Sequence, residues 1–251
     1  MKAQQKLRQA ATIILLRPAK RNGFEVFLTR RPEGMAFLGG MYCFPGGAVQ
    51  SDDCSEAMMR CTSGLSPSDA RKIVGAHFSP REALGLWVAG IRELFEEVGV
   101  LLAVNKSRQP WVAEKDRRIV DLAERHAALL EKVSSFRSLL ENEELLCDTS
   151  SLAYFSHWQT PEEAPIRFDT RFFLAALPKD QAPLPTSPEV VHSLWLTPDR
   201  ALELFASDEL PMIFPTFASI RRLADFESLD SVWKEYGSNL SDASKKAPED
   251  R

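Results

Sequence analysis

The sequence predicts an α+β fold, a mixed sheet built around one long central helix, and three observations lead there. Apolar, β-branched runs stand on both sides of that helix, the helix itself carries an uninterrupted 3.6-residue pattern, and no segment repeats. The 251 residues suit one elaborated domain, expected over 8–236, with a polar tail at 237–251 expected to be disordered.

Each element has its own signal. Residues 11–16 and 24–29 flank the polar turn Lys20-Arg21-Asn22-Gly23 and read as a hairpin. Short extended pieces follow at 41–44 and 48–49. The pattern then turns helical over 53–76, with Ser66-Pro67-Ser68-Asp69 supplying a cap, a proline at the first helical position and an acid in the first turn. Ser79-Pro80-Arg81-Glu82 fits a capping box, so the long helix begins there. Leu84, Trp87, Val88, Ile91, Leu94, Phe95 and Val98 recur at steps of three and four, and Gly99 is a natural stop. Beyond it come a strand at 100–104, helical periodicity over 113–144, and strands at 151–158, 167–176 and 190–196. Thr197-Pro198-Asp199 starts a helix, and two more are expected at 216–226 and 229–236.

Composition narrows the function classes. With 44% hydrophobic and 26% charged residues and a formal net charge of -4, the chain reads as an ordinary globular protein with no general polyanion-binding surface, so nucleic acid is not an expected partner. No apolar run approaches the ~18 to 20 residues that cross a bilayer. The apolar part of MKAQQKLRQAATIILLRPAK is short for a signal peptide, and the final PEDR is not the peroxisomal serine-lysine-leucine address. The expected location is cytoplasmic, without membrane association, and a homodimer is compatible with the sequence. Cys43, Cys54, Cys61 and Cys147 show no C-x-x-C spacing and His77, His126, His157 and His192 do not cluster with them, so neither zinc nor disulfides are expected.

The informative stretch is the end of the long helix. Glu93, Glu96 and Glu97 project within about 100° of one another, on the side away from the apolar stripe. Their i,i+3 and i,i+4 spacing costs roughly 0.2 to 0.5 kcal/mol per pair, and acids near a helix C-terminus oppose the macrodipole. Arg92 is the one nearby cation, placed either to orient a glutamate, to touch phosphate or to form a salt bridge with Glu96. The turn before the acids on their side is Leu86, Ala89 and Gly90, too apolar for a plain solvent face. A hard divalent cation, Mg²⁺ or Mn²⁺, resolves the repulsion, because it takes carboxylate oxygens and bridges them to phosphate.

These residues resemble a known family. Arg92-Glu93-Leu94-Phe95-Glu96-Glu97-Val98-Gly99-Val100 reproduces R-E-U-x-E-E-x-G-U, the second half of the Nudix box, and Phe44-Pro45-Gly46-Gly47 resembles the F-P-G-G that opens it. The resemblance implies an α/β/α sandwich and metal-dependent hydrolysis of a nucleoside diphosphate linked to another group. The spacing departs from the compact motif G-x5-E-x7-R-E: Gly47 and Arg92 stand 45 positions apart, leaving about 31 extra residues, read as a helical insertion at about 50–78. Counting back from Arg92 puts the box's first glutamate on Leu84, so it is missing in register; Glu82 is the nearest acid, and helix capping claims it.

Inserted boxes of this kind are similar to those of the branch that includes peroxisomal coenzyme A diphosphatases. Leu28, Thr29, Arg31, Gly40 and the F-P-G-G fall in register with that branch's coenzyme A motif, while Pro32, Met35, Ala36 and Tyr42 depart from it. The resemblance implies Glu93, Glu96 and Glu97 as metal ligands with the Gly46 carbonyl, and Glu93 as a base or orienter of water. Arg31, Gly40, Phe44, Gly47, Arg167 and Arg171 are the substrate-binding candidates; the alternative for Arg31 is a surface charge, and for Arg167 and Arg171 a structural ion-pair row. Glu189 and Glu144 are candidates for a distant water-activating carboxylate. Trp158 and Trp195 either stack on a base or pack in the core. The expected activity is hydrolysis of the diphosphate of coenzyme A or an acyl derivative, with a nucleotide sugar, ADP-ribose or another nucleoside diphosphate derivative as alternatives, and a catalytically silent nucleotide sensor as the non-enzymatic one.

Overall fold

The computed structural model describes residues 7–35, 37–111, 126, 127, 129, 131, 134–184 and 187–237. The tail expected to be disordered lies outside them apart from Gly237, as does most of the helical segment expected at 113–144. Among the described residues, no helix is long and apolar enough to cross a membrane.

The main sheet grows from the expected hairpin. β1 (Arg8–Pro18) and β2 (Phe24–Arg30) pair antiparallel, and Gly23 at φ 82° makes the turn. β3 (Tyr42–Cys43) pairs with β2, and β4 (Gly46–Ala48) with β1. The small second sheet holds β5 (Thr62–Ser63), β6 (Ala103–Asn105) and β7 (Leu145–Asp148), in the order β5-β7-β6. β8 (Leu152–Gln159), β9 (Phe168–Ala176) and β10 (His192–Leu196) complete the main sheet in the order β10-β2-β1-β9-β8. Only β1 and β9 run parallel in it, so the sheet is mixed.

Strand alternation divides the core. Ala11, Ile13 and Leu15 of β1 face the helical layer of α1 (Glu56–Arg60), α2 (Pro67–Val74), α3 (Pro80–Val98) and α4 (Phe136–Asn142). Ile14 and Leu16 face α5 (Pro198–Ala206), α6 (Phe214–Leu223) and α7 (Leu229–Tyr236). The result is the α/β/α sandwich that the resemblance implies.

α3 is held at both ends as its sequence predicts. Ser79 and Glu82 close a capping box, and Gly99 ends the helix in the left-handed conformation at φ 70°. Every residue from Ala83 to Arg92 is buried. The side of α3 read as lying away from the core instead faces β1 and β4: Gly90 packs over Ile13 and Ala11, and Glu93 stands over Gly47. The α1–α2 segment covers the helix with Met58, Ala70, Val74 and Phe78.

Other expectations need correction. Residues 53–76 are not one helical run. They form a 3-10 turn (Asp52–Cys54), α1, β5 and α2: α1 stops at Arg60, Thr62 and Ser63 are drawn into the second sheet, and Ser66 caps a new helix after the Gly64 turn at φ 101°. β7 begins directly after the segment read as helical at 113–144 and was not expected, its Leu145 and Cys147 buried in strand alternation. Pairing of Thr62 and Ser63 with Cys147 and Asp148 then ties the inserted segment to the second sheet. The strand expected at 100–104 is ordered into the ladder only from Ala103.

Candidate active site

The last turns of α3 bring the acids over β4, and Arg92 organises them. Its buried guanidinium donates from Nε and Nη2 to the two carboxylate oxygens of Asp53, at 2.9 and 3.0 Å. Nη1 donates to Glu93 Oε1 at 2.8 Å and Glu96 Oε2 at 2.6 Å, and Nη2 also reaches the Ala48 carbonyl at 2.9 Å. Five N–H donors thus meet five acceptors, the full capacity of the side chain. Burial works against the charge, but Asp53 and the two glutamates outweigh it and raise the Arg92 pKa. Arg92 is therefore an organiser of carboxylates, with no donor left for phosphate.

Asp53 was missed by counting back from Arg92. Counting forward from Gly47 finds it, since G-x5 leads to position 53. The acid that the sequence reading sought at Leu84 stands before the insertion, as an aspartate on the 3-10 turn, and Leu84 is fully buried core. The insertion therefore lies between Asp53 and α3, later than the predicted start at about 50, and the Arg92–Asp53 fork bridges its two ends. Glu82 is confined to the cap at Ser79.

The remaining acids are poorly compensated. Glu97, buried beneath β4, accepts from the Gly46 N–H at 3.2 Å and lies 3.7 Å from Arg31. Burial, then the neighbouring Glu93, push its pKa well above the ordinary carboxylate value. Burial raises Glu93 to about 7 despite Arg92, and raises Glu96 as well. Four acids, Asp53, Glu93, Glu96 and Glu97, face two guanidinium groups. Oxygen donors with excess negative charge in a buried cluster fit a hard divalent cation. Among the described residues no three of them yet converge as a ready ligand set, because Arg92 holds Glu93 and Glu96 while Glu97 turns to Gly46.

The glycines open this site. A Cβ on Gly47 would stand 2.5 Å from the Glu93 carboxyl carbon, and one on Gly46 would meet Thr12 Cα at 2.7 Å. The chain must be bare here for β4 to lie against both β1 and the acids.

Two cavities meet at the cluster. One, of about 480 Å³, is lined by Asp53, Arg92, Glu93, Glu96 and Glu97, and also by Arg137. The other, of about 510 Å³, includes Arg31, Phe44, Gly46 and Gly47. Glu93 and Glu189 line both.

Each candidate has a place relative to them. Arg31 is 3.2 Å from Glu189 and near Glu97, so it stands between the cavities rather than on the surface. Glu189 is half exposed beside the acids, whereas Glu144 pairs with exposed Lys106 and lines neither cavity. Gly40, at φ 75°, shapes the β2–β3 loop, its carbonyl accepting from Arg30. Arg167 and Arg171 do not reach either cavity. The second cavity is lined by Phe168, Thr170 and Phe172, and alternation along β9 sends Arg171 to the opposite face, where it pairs with Asp169 beneath Phe78. Arg167 donates to the Thr160 carbonyl. Trp195 packs between Phe27 and Arg17, while Trp158 lines the second cavity. Cys43 is buried and its thiol pushed up to about 11, chiefly by burial, which suits packing.

One further residue escaped the sequence reading. His126 is buried, its Nε2 2.7 Å from the Glu96 carbonyl and its ring edge-on to Phe95. Burial lowers its pKa, so the neutral ring donates to the carbonyl and steadies the last turn of α3. No periodicity or spacing flags such a long-range contact.

Known proteins share this arrangement of elements. The chain is 29% identical over 245 residues to human acyl-coenzyme A diphosphatase NUDT19, covering 87% of this chain and 65% of the relative. The Gallus gallus protein of the same name is 28% identical over 272 residues, covering 90% and 70%. The chain thus spans about two thirds of the length of the curated relatives it matches. A Nudix hydrolase from Alicyclobacillus acidocaldarius has a similar solved structure, with a TM-score of 0.77, 27% identity and coverage of 92% of this chain and 97% of that one. The model of the NUDT19 Nudix domain matches residues 7–223, a span that holds both halves of the divided box and the insertion between them, so the chain belongs to the NUDT19 Nudix domain family.

Proposed function

We propose that this protein is a divalent-metal-dependent diphosphatase that hydrolyses the P–O–P linkage of coenzyme A or an acyl-coenzyme A, with Mg²⁺ or Mn²⁺ as the cation. The observation that carries the reading is the buried cluster of four acids organised by Arg92 at the junction of two cavities. Glu93, Glu96 and Glu97, with the Gly46 carbonyl, are the groups that would hold the cation. When bound, a divalent cation screens the diphosphate and lowers the pKa of water.

The chain's own groups supply the rest. Asp53 fixes Arg92, and Arg92 in turn orients Glu93 and Glu96. Arg31, between the cavities, offers charge to an anionic substrate oxygen and is itself steadied by Glu97 and Glu189. Glu93, raised to about 7 while no cation is bound, gives up its proton as the cation enters, and Glu93 and Glu189 are the carboxylates placed to orient an attacking water or receive its proton. The relatives' printed name, acyl-coenzyme A diphosphatase, supports the choice of substrate.

The test is a screen of coenzyme A, acyl-coenzyme A, ADP-ribose and nucleotide sugars with Mg²⁺, Mn²⁺ or chelator, products read by mass spectrometry. The expected result is phosphopantetheine, or its acyl form, with an adenosine bisphosphate, formed only with metal. Preference for another diphosphate would replace the substrate, and no metal-dependent turnover would overturn the activity.

A further inference from the structure

Leu101 lies between the end of α3 and the start of β6, buried and ahead of the ladder that begins at Ala103. Buried peptide groups need partners, and Gln181, from the connection between β9 and β10, supplies both. Its Oε1 accepts from the Leu101 N–H at 2.8 Å and its Nε2 donates to the Leu101 carbonyl at 2.8 Å. A primary amide carries the same donor and acceptor as a peptide, so one side chain does here what a neighbouring strand does elsewhere. Leu184 fastens the same place a second time. Its N–H donates at 2.8 Å to the Val98 carbonyl, one of those left open at a helix end. Its side chain sits over Gly99, where a Cβ would lie 2.5 Å from Leu184 Cδ1. These contacts fall on residues 98, 99 and 101, directly after Glu96 and Glu97.

The far end of the connection is fixed as well. The Val191 N–H donates to the Arg30 carbonyl at 3.1 Å where β10 joins β2, and Ser187 and Val190 exchange backbone hydrogen bonds at 3.1 and 3.3 Å around Pro188 and Glu189. Proline presets its own φ in such a turn. Glu189 therefore stands on a stiff support, 3.2 Å from Arg31 and, with Glu93, on the wall of both cavities. We propose that Gln181 is a positioning residue for the hydrolysis: by docking the β9–β10 connection on the exit of α3, it holds Glu189 beside the acids that α3 carries. The proposal rests on the diphosphatase reading and adds to it the means by which a carboxylate from outside the box keeps its place against those within it. Gln181 lines neither cavity, so its action on the reaction passes through Glu189.

The test is a double-mutant cycle joined to amide hydrogen exchange. Metal-dependent hydrolysis of coenzyme A is measured for the full chain, Gln181→Ala, Glu189→Gln and the double variant, each shown to be folded by circular dichroism, and exchange at the Val190 amide is followed in the full chain and in Gln181→Ala. Gln181→Ala should lower kcat by about tenfold or more, with little change in KM. In the Glu189→Gln background the same substitution should change kcat by no more than about twofold. Gln181→Glu, which keeps the acceptor for the Leu101 N–H and loses the donor, should fall between, and it carries the cycle should Gln181→Ala not fold. Exchange at Val190 should be faster in Gln181→Ala. Unchanged kcat in the folded variant, or the same fold-loss in both backgrounds, would overturn the proposal and leave Gln181 a structural contact. If the unaltered chain shows no metal-dependent turnover, the diphosphatase reading fails instead; faster exchange at Val190 would then still uphold the docking of the Glu189 turn by Gln181, and unchanged exchange would overturn it.

Discussion

Two buried arginines in this molecule make opposite use of the same chemistry. Arg171, on the α3 face of β9, pairs with Asp169, and Gln9 and His157 complete that carboxylate's bonds. Arg92 meets Asp53, Glu93 and Glu96, with Glu97 close behind. Around Arg171 one acid faces one arginine, and although burial opposes it, hydrogen bonds from Gln9, His157 and Arg171 lower the Asp169 pKa. Around Arg92 acids exceed cations and burial raises all three glutamates. The Arg171 pair is balanced in charge, although Arg171 Nε and Gln9 Oε1 stay without a hydrogen bond; the Arg92 cluster has an excess of negative charge that an ion can meet.

The largest expected difference is catalytic. Glu96→Gln or Glu97→Gln should lower kcat/KM for the metal-dependent reaction by on the order of a thousandfold, the loss of several kcal/mol of transition-state stabilisation, with the melting temperature unchanged or raised because a buried like charge is removed. Steady-state kinetics beside thermal unfolding would show it, and near-normal turnover in a folded variant would remove these residues from the site.

Truncating either arginine lowers stability alike and separates the two regions by activity. Arg92→Ala leaves buried Asp53 without its cation, and Arg171→Ala leaves buried Asp169 with only Gln9 and His157, each a loss of about 3 to 5 kcal/mol in denaturant unfolding. Only Arg92→Ala should also abolish activity in the molecules that remain folded. A smaller effect is expected from Gly47→Ala, whose new methyl group would crowd Glu93: displacement of that carboxylate should lower turnover by about tenfold to a hundredfold, and full activity would show that Glu93 has room to yield.

The pH dependence sharpens the comparison further. Glu93 rises from 4.5 to about 7, so the metal-free folded state binds its proton more tightly than the unfolded chain does, and stability falls as pH rises between those values. Asp169 is shifted the other way: its contribution is present above 3.8 and is lost as pH falls through its lowered folded value. Thermal melts should therefore show added Mg²⁺ or Mn²⁺ stabilising the protein more at pH 8 than at pH 5, and Glu93→Gln should flatten the slope between them. An equal metal effect at both pH values would contradict the excess-charge account.

What was legible in the sequence follows the range of the interactions. α3 declared itself through its capping box, period and terminal glycine, all local, and the acids Glu93, Glu96 and Glu97 through a spacing that repulsion makes costly. The inserted segment was misread because β5 and β7 are short and stabilise each other across 85 residues of sequence, which periodicity within either cannot report. Arg171 was a substrate-binding candidate, but which face of a strand meets a cavity depends on strands elsewhere in the chain, and Arg167 stands just ahead of β9. Asp53 was readable from the glycine side of the box and hidden from the arginine side by the intervening residues.

That hidden spacing gives the Asp53–Arg92 fork a meaning for how this sequence can change. The cost of closing a loop rises only logarithmically with its length, about 0.6 kcal/mol for each doubling. A two-pronged ionic clasp inside the protein can hold the ends together through such an increment, so the chain between them is a place where length can drift while the clasp keeps its position. The motif is better described as a closed circuit than as a string of letters, and relatives with longer or shorter detours should be sought by the clasp rather than by the count of residues between its ends.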